Sequence, residues 1–106
     1  MAGVITGNVQ SLSAISVALS PALVAINTTA EQSFTVPGVL ASDVCVGVSK
    51  PTAQAGLGIV GWRVSAANTV AITFSNNTGG TITPTASQTY LITLARPDST
   101  QAGFAV

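Results

Sequence analysis

Val70-Ala-Ile-Thr-Phe-Ser75 alternates apolar Val70, Ile72 and Phe74 with Ala71, Thr73 and Ser75, the period of two that marks a half-buried β-strand. Asn76-Asn-Thr-Gly-Gly80 ends the run with turn formers, and Ser65-Ala-Ala-Asn-Thr69 before it reads as a turn-like link. Working outward, Val60, Trp62 and Val64 predict the apolar face of a preceding strand, which makes Trp62 a core residue. Val44, Val46 and Val48 predict the face of the strand before that, with a loop over 49–58 between the two. Further upstream, Ala30, Phe34 and Val36 share one face while Glu31, Ser33 and Thr35 point the other way, until Pro37-Gly38 turns the chain. Ile15, Val17 and Leu19 alternate with Ala14, Ser16 and Ala18, and Ser20-Pro21 stops them because proline cannot donate to a ladder. Downstream, Thr81-Ile-Thr83 reads as a minor edge strand, and Tyr90, Ile92 and Leu94 define a last strand closed by Pro97.

No helical periodicity competes with this pattern. The expectation is an all-β fold: a compact antiparallel sandwich, or a jelly-roll-like barrel, of six to eight short strands over residues 13–96. Residues 1–12 and 97–106 read as extended terminal arms. They carry Val4, Ile5, Val9, Phe104 and Val106 outside the core pattern, and such ends either fray or dock on neighbours. Val4, Ile5, Val9 and Phe104, with Lys50, Pro51, Gln54 and Leu57 of the long loop, are therefore the candidate partner-binding residues.

Composition points the same way. Of 106 residues, 47% are hydrophobic and 6% charged, against roughly a quarter charged in ordinary soluble domains, and the net charge is zero. Solvent-facing positions must be filled by small and uncharged polar residues, and little electrostatic repulsion keeps copies apart. Lys50, Arg63 and Arg96 are the only basic side chains, too few for the phosphate neutralisation on which nucleic-acid binding draws. The apolar stretch over 12–26 is broken by Ser13, Ser16, Ser20 and Pro21 and falls short of a membrane-spanning helix. The N-terminal segment lacks the basic and apolar regions of a secretory signal, so it reads as part of the working protein, made in a reducing cytoplasm that suits the single Cys45. Cys45 itself reads as a small core hydrophobe.

The chemical motifs are weak. Gly56-Leu-Gly58-Ile-Val-Gly61 spells a dinucleotide fingerprint, but it runs from a loop into a strand, with no helix to meet a pyrophosphate and no acidic residue between Asp43 and Asp98 to hold a ribose. The chain has no histidine, which removes the Ser-His-Asp triad, the Cys-His pair and the common zinc sets. Glu31, Asp43 and Asp98 are too scattered to predict a carboxylate pair. Asn27-Thr-Thr29 and Asn76-Asn-Thr78 match the glycosylation pattern, yet read as turn-forming asparagines. No enzyme activity, cofactor, metal or small-molecule substrate is expected.

The segments Asn27-Thr-Thr-Ala-Glu-Gln-Ser-Phe-Thr-Val-Pro-Gly38, Lys50-Pro-Thr-Ala-Gln-Ala-Gly-Leu-Gly-Ile59 and Arg63-Val-Ser-Ala-Ala-Asn-Thr-Val-Ala-Ile-Thr-Phe74 resemble small structural proteins of tailed bacteriophages, specifically the capsid decoration, or cement, proteins. The likeness runs from about Ser13 to Ala95 and leaves both arms outside it. It implies a compact β-fold that binds the outer surface of the phage head as a homotrimer and braces neighbouring major capsid subunits. Its partners would be the major capsid protein and sister copies, with no nucleic acid and no membrane, and its location the outside of the virion. The family's work is done by surfaces that vary with the capsid, so no functional residue carries over. Two other assembly readings compete: a head-fibre or tail-fibre module binding a receptor or glycan, which would show clustered exposed aromatics, and a tail-tube subunit, which would form rings or stacked tubes.

Overall fold

The computed structural model describes residues 9–97, and every structural statement below concerns them. Six strands follow one another: β1 (Val9–Leu19), β2 (Thr28–Thr35), β3 (Val44–Ser49), β4 (Leu57–Ala66), β5 (Thr69–Asn76) and β6 (Gln88–Pro97). They make two three-stranded antiparallel sheets, ordered β1-β6-β3 and β2-β5-β4. The pairings are nested, first strand with last and second with fifth, as when a long hairpin is rolled up on itself. The expected all-β sandwich is therefore the fold, in a six-stranded, jelly-roll-like winding.

The core follows from the period of two. Val70, Ile72 and Phe74 of β5 meet Tyr90, Ile92 and Leu94 of β6 between the sheets, joined by Leu19, Val24, Val36, Val39 and Cys45. Phe34 packs edge-on against Phe74, with ring centroids 6.5 Å apart. β5 and β6 are the central strands, which is why their alternation is the clearest in the sequence. Ala71, read as solvent-facing, is fully buried: its register neighbours are Ser33 and Arg63, and the Arg63–Glu31 ion pair spans β5 on this outer side.

Several sequence expectations are corrected. β1 starts at Val9, paired with Pro97, so residues 9–12 belong to the sheet and not to an arm, and Pro97 ends β6 instead of opening a tail. Val44, Val46 and Val48 do not share a buried face, because a register shift between Cys45 and Gly47 turns Val44 and Val46 outward and Cys45 inward. A second shift between Ile59 and Gly61 leaves Val60 61% exposed. Trp62 is opposite Ile72 on the inner side, but edge strand β4 leaves it 38% exposed, so it is not a fully buried core residue. The 49–58 loop is shorter than expected, since Ser49 closes β3 and Leu57 opens β4. The 65–69 link shrinks to Ala67-Asn68, with Asn68 in the left-handed region at φ 58°, and Ile82 makes only a single bridge, to Val24.

Candidate functional site

Two candidate surfaces emerge, one foreseen in the sequence and one not. The foreseen one is the loop before β4. Lys50, Gln54 and Leu57 line a shallow groove of about 210 Å³ together with Thr52, Ala53 and Ile59, and Pro51 is exposed beside them. This loop is tied to its own chain. Gln54 donates from Nε2 to the Thr83 carbonyl at 3.1 Å, and its Oε1 accepts from the Thr85 N–H at 2.9 Å. Lys50 Nζ donates to the Thr52 carbonyl at 2.6 Å, and partial burial shifts its pKa downward. Val9 lies in β1, far along the sheet from this loop, while Val4, Ile5 and Phe104 fall outside the described residues. The structure thus gathers four of the eight candidates and separates Val9 from them.

The surface the sequence reading missed is the outer face of the β1-β6-β3 sheet. Register sets its rows: Leu12, Ala95 and Val44 across the three strands, then Ala14, Thr93 and Gly47, then Ser16, Leu91 and Ser49. No charged side chain stands in these rows. Leu12 is 69% exposed and Val44 53%, with Val46 and Leu91 open as well. The signal was present, because β1 and residues 88–95 carry no charge on either face. Reading only the more apolar face of each strand hid it.

The described charges are spent elsewhere. Arg63 donates from Nε and Nη2 to Glu31, both at 2.8 Å, on the outside of the other sheet, and the bonds hold the Glu31 carboxyl below its ordinary range. Arg96 donates to both oxygens of Asp43 at 2.9 Å and to the Gly38 carbonyl. Asp43 is buried, yet its pKa falls, because the bonds from Arg96 outweigh burial and the Leu40 N–H adds a further donor. Neither pairing is local, spanning 32 and 53 residues, and no sequence pattern announces either.

The Asp43 pair sets a pH dependence. A carboxyl with a folded pKa below its unfolded value stabilises the fold above the unfolded pKa, and this is lost as pH falls through the folded one. In Arg96→Met the donors are gone and burial becomes the larger influence, raising the Asp43 pKa. The variant is expected to melt lower than the parent at pH 7, with the gap narrowing on acidification toward pH 4 as Asp43 takes up a proton. A gap of constant size in thermal melts would show that the pair is not its cause.

The remaining motifs resolve as structure. Gly56 sits in the turn before β4, and Gly58 and Gly61 lie in β4 itself, so the glycine-rich stretch leads into a strand. The Cys45 thiol is buried and its pKa is pushed up by burial, which makes it a core side chain. The described residues hold no cluster of three or more His, Cys, Asp or Glu side chains suited to a metal. Comparisons with protein-family models, curated proteins and solved structures found no match.

Proposed function

We propose that this chain is a structural virion protein, a decoration protein that binds the outside of a phage head as a homotrimer and braces contacts between major capsid subunits. The observation that supports it is the uncharged outer face of the β1-β6-β3 sheet, with Leu12, Val44, Val46 and Leu91 open to solvent. Charge depletion and exposed apolar side chains are what the centre of a permanent contact needs. At about 3.3 Å per residue and 4.8 Å between strands, the face measures roughly 30 by 14 Å. That is less than the roughly 800 Å² per partner of a stable interface, so a single copy would hold weakly and a trimer would multiply the attachment. The chemistry asked of such a protein is contact alone.

The test is co-sedimentation with tailed-phage heads assembled from major capsid protein and lacking decoration. Wild-type protein should bind, and Leu91→Lys, which places a charge at an exposed position, should weaken binding at least tenfold with unchanged thermal stability. Equal binding by the variant would remove the face from the contact, and absence of wild-type binding would overturn the reading. One observation favours a second reading, a glycan-binding fibre module: Trp62 is exposed where the sequence predicts core. Sugar sites cluster aromatics, however, and Phe34, Phe74 and Tyr90 all belong to the interior. Glycan-array binding abolished by Trp62→Ala would support that reading over ours.

A further inference from the structure

Each sheet has two edges, and an edge strand offers unpaired N–H and C=O groups to any passing strand unless it is protected. Three of the four edges are. β2 carries Glu31, and its Gln32 side chain clasps the backbone of Ala22 through bonds of 2.7 and 2.9 Å. β3 is six residues long and shifts register between Cys45 and Gly47. β4 shifts register twice and carries Arg63. β1 has none of these devices over residues 11–19: it runs in unbroken register with β6 and contains no charge, proline or glycine. Its inward-facing Ile15 and Val17 remain only half-buried along this open side.

We propose that the outer edge of β1, which pairs with no strand among the described residues, is paired in the assembly by residues 1–8 of a second copy. This rests on the assembly reading above and names the contact that joins the copies. The segment Met1-Ala-Gly-Val-Ile-Thr-Gly-Asn8 has no charged side chain and no proline, so it can donate along a whole ladder, and Val4-Ile-Thr6 is β-branched throughout. Residues 98–106, by contrast, begin with Asp98. Eight extended residues span roughly 26 Å, close to the length of the nine-residue outer edge.

The same segment serves its own chain poorly. Folded back through a two-residue turn at Gly7-Asn8, it would set Val4 opposite Ser11 and Ile5 opposite Gln10, away from the half-buried pair. A neighbour's segment has no such register constraint. It can set Ile5 opposite Ser16 on the outer face and Val4 on the inner side, against Ile15 and Val17. Edge and segment are different surfaces of one chain, so the contact is heterologous and can close a ring such as a trimer.

Disulfide trapping between full-length chains tests this. Ile5→Cys chains mixed with Ser16→Cys chains should give a cross-linked heterodimer on oxidation, and Ile5→Cys mixed with Thr29→Cys, exposed on β2, should not; Cys45 is buried and stays in place. As a second measurement, Val4→Pro/Thr6→Pro removes two N–H donors from the segment, at positions outside both the described strands and the uncharged face, and should lower the native mass to that of a single chain while circular dichroism stays unchanged. The proposal is overturned if no heterodimer forms, if the bond forms only within single chains of an Ile5→Cys/Ser16→Cys double variant, or if the proline variant keeps the parent mass. Head binding by the parent and the proline variant separates the two readings: a single-chain mass with weakened binding supports both this contact and the multivalent decoration role, whereas a parent multimer that ignores heads spares the contact alone.

Discussion

Replacing Asn76 with alanine is expected to lower stability by about 3 kcal/mol, taking each lost hydrogen bond at roughly 1 kcal/mol net and allowing for carbonyls that keep another partner. Asn76 closes β5 and is buried at 1% exposure. Its Nδ2 donates to the Val24 and Gly80 carbonyls at 3.1 and 2.8 Å, and its Oδ1 accepts from the N–H and hydroxyl of Thr78 at 2.9 and 2.7 Å. One side chain thereby ties the β1–β2 connection to the turn after β5. Asn76→Asp is the sharper variant. It turns two donors into an anionic acceptor facing carbonyl oxygens, so it should be less stable than Asn76→Ala at pH 7 and recover as acid protonates it. Urea unfolding at pH 7 and pH 4 checks both, and a loss below 1 kcal/mol for the alanine would show that the side chain is not the tie it appears by geometry.

Gly56→Ala is expected to cost a similar amount, about 3 kcal/mol, from two separable causes: roughly 1 for a left-handed backbone and roughly 2 for overpacking. Gly56 has φ +79°, and a Cβ built there would collide with the Thr78 Cγ2. Thr78 cannot swing aside without breaking its hydroxyl bonds to Asn76 and Gly80, at 2.7 and 2.9 Å. Thr78→Ser keeps that hydroxyl and deletes the methyl. In the Gly56→Ala background it should restore the overpacking share and leave the backbone share, a coupling that a double-mutant cycle reads directly. Additive losses would mean that the methyl is not what the alanine meets.

The central strands were legible in the sequence and the edges were not. Val70, Ile72, Phe74, Tyr90, Ile92 and Leu94 are covered on both sides, so burial there depends on alternation alone, which a sequence displays. In β3 and β4 each bulge inserts a residue and reverses the alternation after it, so Val44, Val46 and Val60 look like core residues and are not. Sequence alternation carries no mark of where an insertion falls. The ion pairs were hidden for a different reason: Asp43 meets Arg96 through strand order, which local patterns do not encode. Of the candidate site, the loop residues Lys50, Gln54 and Leu57 were found by length and composition, whereas the uncharged sheet face required knowing that β1, β6 and β3 are neighbours.

The proposed role has this chain work only as an assembled surface. Its most direct test is the native mass of the full chain by light scattering after size exclusion, followed over a hundredfold dilution. The reading predicts a mass of three chains of 10.5 kDa that persists on dilution. A mass of one chain at every concentration would contradict it.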